Sequence, residues 1–128
     1  MGTPSKWDFF TVEELTCHCG CGQMLMDDWF MQDLVALRRA SGIRMPVSSG
    51  YRCPAHNALV SKTGDDGPHT TGKAVDIRIA GTDMAELVKL AINAGFLGVG
   101  QKQHGLWAGR YIHLDKCDRG KLTMWTYP

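Results

Sequence analysis

Three side chains stand out for the chemistry they could share: His69, Asp76 and His113. Asp76 lies in "KAVDIRIA", where Val75, Ile77 and Ile79 alternate onto one face of a predicted strand and Ala74, Asp76 and Arg78 onto the other. Burying an unpaired carboxylate costs several kcal/mol, so Asp76 requires a cation, a metal or a solvent-filled cleft. In "RYIHLDK" the same alternation sends Tyr111, His113 and Asp115 to one face and Ile112 and Leu114 to the other. If the two strands are neighbours, His113 and Asp76 converge, and His69 enters from the loop just before Asp76. Two imidazoles and a carboxylate suffice to hold a catalytic zinc ion with a position left for water. The same residues admit a plainer arrangement, with Asp76 paired to Arg78 or Arg52, His69 on a solvated loop and His113 a satisfied core histidine.

The rest of the chain must supply the elements that place these three. "DDWFMQDLVALRRASG" predicts a helix: Asp27 or Asp28 caps it, Phe30, Leu34 and Leu37 share a face, Arg38 and Arg39 suit the C-terminal end, and Gly42 stops it. "IRMPVSSG" predicts a short strand broken by Pro46, hence at an edge or irregular. Residues 50–72 are polar and rich in Gly and Pro, with a short helix starting at Pro54, and connections of that length are functional or disordered. "TDMAELVKLAINAG" predicts a second long helix, with Thr82 as cap, Met84, Leu87, Val88 and Ala91 as apolar stripe, and Gly95 as stop. Short glycine-punctuated strands follow in "FLGVGQK", "GLWAG" and "RYIHLDK", and "TMWTY" adds a last candidate. Helices and strands mix without a regular strand-helix-strand repeat. The expected fold class is therefore a small, single α+β domain, a mainly antiparallel sheet flanked by helices. Residues 1–26 are expected to form an irregular, cysteine-containing segment packed on a domain spanning residues 27–128.

With 128 residues, 44% of them hydrophobic, the chain suits one compact domain. Its 14 Lys and Arg against 13 Asp and Glu lack the basic surface that nucleic-acid binding or polybasic membrane attachment needs. No apolar run approaches the length of a bilayer-spanning helix. "MGTPSKWDFFTVEELTCHCG" has neither the basic start nor the apolar stretch of a secretory signal, so cytoplasmic synthesis is expected. Five cysteines, three of them in "CHCGCG", do not make the evenly paired framework of a small secreted domain.

"SGYRCPAHN", "HTTGKAVDI" and "YIHLD", in this order and at these separations, resemble the zinc D-Ala-D-Ala metallopeptidases, peptidase family M15. That family includes L-alanyl-D-glutamate endolysins and shares its fold with the Hedgehog signalling domain. The resemblance runs over residues 9–116 and extends to short phage- and prophage-associated peptidases that carry "CxCGCG" near the start. It implies that His69, Asp76 and His113 are ligands of Zn2+. It also implies that Arg52, from "SGYR", lies in the cleft and binds substrate or polarises the scissile carbonyl, a role suited to a fixed, always charged donor fork. The activity implied is metal-assisted hydrolysis of peptidoglycan stem or cross-link peptides, of carboxypeptidase or endopeptidase type, by a monomer that reaches the cell wall after holin-assisted release. The alternatives are a non-catalytic, zinc-stabilised binding domain on the same fold and a dipeptidase acting on free D-Ala-D-Ala.

The chain departs from the family's pattern at two places. Several relatives have Ser two residues before the first zinc histidine, where this chain has Gly67. Endolysin and dipeptidase relatives have Asp or Glu three residues before the last histidine as general base, and here that position is Arg110, which takes no proton from water. Asp115, on the same strand face as His113, is the expected replacement, as base or as support for a ligand. His104, in the glycine-bounded "QKQHGLWAG" turn, is the next candidate. His56 either lines the cleft or is an idle helix residue, and Tyr111 either donates to substrate or packs. Cys17, Cys19 and Cys21, with Cys53 or Cys117, could make a second, structural zinc site. The C-x-C-x-C spacing departs from the usual C-x2-C, however, which favours one or two structural thiols and leaves the others, with His18, unassigned.

Overall fold

The computed structural model describes residues 2–128. Among them the elements follow the order α1 (Val12–Leu15), α2 (Asp28–Ser41), β1 (Val47–Ser49), α3 (Pro54–Val60), β2 (Ala74–Arg78), α4 (Gly81–Asn93), β3 (Gly98–Lys102), β4 (Tyr111–Asp115) and β5 (Thr123–Thr126), with 3-10 turns at Pro68–Thr71 and Trp107–Gly109. The strands make one sheet in the order β1-β2-β4-β3-β5. Its pairs are antiparallel except for β3 with β5, so the domain is α+β with a mainly antiparallel sheet.

The apolar pattern explains which side of the sheet the long helices cover. Phe30, Met31, Leu34 and Leu37 of α2, and Met84, Leu87 and Ala91 of α4, are buried together with Val75, Ile77, Val99, Ile112 and Leu114 of the three central strands. Phe30 meets Phe96 edge to face, with ring centroids 5.9 Å apart. Because side chains alternate along a strand, this core forces Asp76, His113 and Asp115 onto the opposite face. Trp7, Phe10, Leu15 and Cys17 also join the core, so the first residues of the chain contribute to its interior. They include one helical turn, α1, closed by a reciprocal capping box between Thr11 and Glu14. The second Glu14 carboxylate oxygen accepts from the backbone N–H of Val47 at 2.7 Å, which ties this turn to the edge strand β1.

Three expectations are adjusted by the structure. Helix α2 is capped by Asp27, whose carboxylate accepts from the Phe30 N–H at 2.9 Å. Helix α4 begins at Gly81, before Thr82, and has no side-chain cap of its own. Gln103 replaces the cap from across a loop, accepting from the Gly81 N–H at 2.8 Å and donating to the Gly81 carbonyl at 3.1 Å. The "GLWAG" stretch is a 3-10 turn and not a strand, stacked under Arg110, whose guanidinium lies 4.9 Å from the Trp107 ring. Pro46 sits just outside β1 at the sheet edge, where its missing N–H breaks no ladder and its carbonyl still accepts from Arg78.

The glycines of β3 have a spatial reason. Gly98 lies opposite Asp115 and Gly100 opposite His113. A Cβ on Gly98 would fall on the Asp115 carboxylate, and one on Gly100 would fall on the Trp125 indole. Gly98→Ala is therefore expected to destabilise the fold by about 1–3 kcal/mol, as overpacking of a filled site does. Gly109→Ala, whose Cβ would meet nothing, should stay within about 0.5 kcal/mol of the parent. Urea unfolding of the two variants side by side checks this, and equal midpoints would refute the steric reading.

Candidate metal centre and its cleft

The register of β2 and β4 places Asp76 directly opposite His113, and the 3-10 turn before β2 carries His69 to the same point. Asp76 Oδ1 lies 3.1 Å from His113 Nδ1 and 3.4 Å from His69 Nε2, and the three ligand atoms all fall within 4.8 Å of one another. A tetrahedral zinc bound at about 2.0–2.1 Å sets neighbouring ligand atoms roughly 3.3 Å apart, so the two nitrogens and the oxygen fit that ion in type and spacing.

Hydrogen bonds behind the imidazoles decide which nitrogen each presents. His69 donates its Nδ1–H to the Gly50 carbonyl at 2.8 Å, which leaves Nε2 for the centre. His113 donates its Nε2–H to Asp115 Oδ2 at 2.7 Å, which leaves Nδ1. This is the arrangement by which carbonyl and carboxylate partners fix the tautomer of metal-binding histidines. Asp115 is in turn gripped by Arg119, whose Nε and Nη2 donate at 3.0 and 2.8 Å, and by the Cys117 backbone N–H at 3.2 Å. Burial alone would raise the pKa of both carboxylates. For Asp76, hydrogen bonds and charge from His113 and His69 win, and for Asp115 those from His113 and Arg119 do, so both stay well below the ordinary carboxylate range. Burial works against the charged form of His113, but Asp115 and then Asp76 outweigh it and raise its pKa above the ordinary histidine value.

The expectations for the remaining residues divide. Arg52 lines the cleft, 3.5 Å from Asp76 Oδ2 through Nη2, and is held by donation to Asn57 Oδ1 at 2.8 Å and Ser49 Oγ at 3.2 Å. Asp115 does not reach the cleft: it is fully buried behind His113, and each of its oxygens accepts twice. A carboxylate so occupied is a weak proton acceptor, so its position suits the second role expected of it, support of a ligand, rather than that of base. His104 is exposed, is not part of the cleft lining, and spends Nε2 on the carbonyl of the lining residue Tyr127 at 2.9 Å. Arg110 donates to the Gly105 carbonyl, also away from the cleft. His56 is absent from the lining, whereas Tyr111 is part of it. At Gly67, the space a side chain would need is taken by the Thr63 hydroxyl and the Asn57 amide.

The cleft encloses about 550 Å³, and its lining adds what sequence reasoning missed: Arg119, Lys62, Trp125 and Tyr127. Trp125 packs its ring 5.2 Å from His113, and Arg119 stacks 5.0 Å from Trp125 while holding Asp115. No spacing rule flags these residues, since Lys62 follows α3 and the other three follow β4 in stretches with no motif; only the fold brings them together. Burial pushes the Tyr127 hydroxyl up to about 12, and Tyr111 is raised by burial and by Asp76, so both remain donors at neutral pH. Cys17, Cys19, Cys21 and Cys53 gather in a separate cluster, while Cys117 lies elsewhere, near the Thr71 hydroxyl.

The opposing shifts fix a pH window for the metal-free protein. Asp76 and Asp115 are depressed, so their contribution to stability is complete above the ordinary carboxylate pKa of about 3.9 and is lost as pH falls through their folded values. His113 is raised, so its contribution is complete below about 6.5 and is lost as pH rises through its folded value. In chelator the melting temperature should therefore peak between about pH 4 and 6.5 and fall on both sides. Added zinc should remove the alkaline decline, because a metal replaces the proton on Nδ1. A melting temperature that rises steadily through pH 8 in chelator would contradict the assignment.

No curated protein sequence matches the chain. The family model described as Peptidase M15 matches residues 8–115, a span that starts just before α1, includes His69, Asp76 and His113 and ends at Asp115. The chain belongs to the peptidase M15 family, whose zinc peptidase chemistry agrees with the His69, Asp76 and His113 arrangement.

Proposed function

We propose that the protein is a zinc-dependent peptidase that hydrolyses stem or cross-link peptides of peptidoglycan. The observation that carries this is the convergence of His69 Nε2, Asp76 Oδ1 and His113 Nδ1 in a cleft rimmed by cations and aromatic rings. A zinc ion held by these atoms would supply Lewis-acid polarisation of a carbonyl and acidify water at neutral pH. Arg52 sits beside that point with its guanidinium locked by Asn57 and Ser49, ready to hold a substrate carboxylate or a developing oxyanion without reorganising. Lys62 and Arg119 add positive charge to the lining, and Trp125, Tyr111 and Tyr127 add flat apolar surface, which suits acidic peptides such as peptidoglycan stems. Asp115 acts through His113 as a positioning residue, and Arg119 holds Asp115.

One observation favours a second reading, a zinc-stabilised wall-binding domain. Apart from His69, Asp76 and His113, the cleft lining has no carboxylate side chain or imidazole, and Arg110 stands where relatives carry an acidic base. Incubation with purified peptidoglycan followed by mass spectrometry of the released fragments separates the two. The peptidase reading expects new amine termini that vanish in His69→Ala and His113→Ala, and the mass of the fragments names the bond. Bound zinc with unchanged peptidoglycan would leave the binding reading standing.

Asp115→Asn tests the support assigned to His113. Loss of the carboxylate behind a metal-binding histidine weakens metal affinity by about 10–100-fold. Zinc titration against a competing chelator should show that loss, with cleavage recovering at saturating zinc. Unchanged affinity with abolished cleavage would instead return Asp115 to the role of base.

A further inference from the structure

The cysteine cluster lies outside the cleft and has no part in the proposed hydrolysis. Cys17, Cys19, Cys21 and Cys53 each offer one sulfur, and the four sulfurs lie within 4.8 Å of one another. Cys19 Sγ is 3.5 Å from Cys17 Sγ and 3.7 Å from Cys53 Sγ. A tetrahedral zinc with Zn–S bonds of about 2.3 Å holds its sulfurs roughly 3.8 Å apart, whereas a disulfide bonds them at about 2.05 Å. The separations match a shared ion.

The backbone is already shaped for that ion. Gly20 and Gly22 take left-handed φ values of 91° and 77°, so "CHCGCG" doubles back and turns three sulfurs toward Cys53. Cys53 arrives from the far side as the N-cap of α3. Backbone N–H groups point at three of the sulfurs: Cys53 N–H at Cys17 Sγ (3.3 Å), His56 N–H at Cys53 Sγ (3.4 Å) and Gln23 N–H at Cys21 Sγ (3.5 Å). Donors of this kind favour the thiolate over the thiol and orient it as a ligand.

We propose that Cys17, Cys19, Cys21 and Cys53 bind a second, structural zinc ion as four thiolates. Loading forms four S–Zn bonds and releases four thiol protons to solvent, with no change in oxidation state. The ion fastens the segment around "CHCGCG" to the start of α3. It thereby steadies the cleft, because Cys53 follows Arg52 directly and Asn57 of α3 holds the Arg52 guanidinium. Cys117, whose sulfur lies beside the Thr71 hydroxyl and outside the cluster, takes no part.

Metal content of the full chain, purified under reductant and dialysed in zinc-free buffer, tests the site. Two zinc ions per chain are expected in the parent. One is expected in Cys19→Ser/Cys21→Ser, where both replaced residues are exposed and the core is untouched, and one in His69→Ala/His113→Ala. Cobalt substitution identifies the ligands: the thiolate-to-cobalt charge-transfer band should persist in the histidine variant and vanish in the cysteine variant. The cysteine variant should also melt at lower temperature while keeping its histidine-centre metal. One zinc in the parent that persists in the histidine variant supports the thiolate site and sinks the histidine centre instead. One zinc in the parent and none in the histidine variant overturns the proposal, as does a disulfide among the four cysteines after rapid alkylation, or iron in place of zinc.

Discussion

A carboxylate placed on the cleft face of a central strand, with little solvent around it, has to be neutralised, and most of the architecture around Asp76 follows from that requirement. Desolvation of a lone carboxylate costs several kcal/mol, more than any single packing contact on the sheet returns. The fold meets it by surrounding Asp76 with His113 from β4, His69 from the preceding turn and Arg52 from the loop after β1. Two of these partners are imidazoles, which offset the carboxylate charge fully only when a proton or a metal ion lies between ring nitrogen and oxygen. Contact with Asp115 and Asp76 raises the His113 pKa against the effect of burial, which favours a cation at the point where these groups meet.

That arrangement propagates outward in one direction. Presenting Nδ1 inward obliges His113 to turn Nε2–H outward, into the sheet's interior, where only a buried acceptor satisfies it. Asp115 is that acceptor, and its own charge calls for Arg119. Room for the Asp115 carboxylate exists because Gly98 faces it without a side chain, and room for the Trp125 ring beside His113 exists because Gly100 does the same. The orientation of His113 on β4 thus accounts for a carboxylate on the same strand, an arginine in the segment after it and the spacing of two glycines on the neighbouring β3. Removing the Asp115 carboxylate leaves the His113 Nε2–H unpaired in the interior, which is the costly outcome.

Much of this was legible before any coordinates. The period-two pattern of "KAVDIRIA" and "RYIHLDK" placed Asp76 and His113 on matching faces, because a strand has only two faces and the apolar residues occupy one. The long helices were equally plain, since Phe30, Leu34 and Leu37 repeat at helical spacing over a length that a helix needs. Legibility failed where a partner comes from a distant, patternless segment. Gln103 caps α4 from another loop, so Thr82 was the better local candidate, and Arg119, Trp125 and Tyr127 reach the cleft only because β5 returns beside β3. "GLWAG" looked like a strand because glycine and aromatic residues punctuate strands and 3-10 turns alike, and the Arg110 guanidinium stacking on Trp107 is not a local signal. The C-x-C-x-C spacing left open whether Cys53 or Cys117 lies beside it; two left-handed glycines fold the stretch so that its sulfurs gather next to Cys53.

Arg110 shows why a family position can change its chemistry without disturbing the centre beside it. Along β4 the cleft face belongs to residues 111, 113 and 115, so residue 110 has the opposite parity and would approach the metal centre only if the chain twisted before the strand. Here the 3-10 turn at Trp107–Gly109 leads into β4 through an extended Arg110, whose side chain folds back on Trp107 and the Gly105 carbonyl. The His69, Asp76 and His113 arrangement is set by the β2–β4 register and by the hydrogen bonds behind it, none of which passes through residue 110. The sheet register therefore sets the His69, Asp76 and His113 arrangement, and the turn before β4 is left to packing.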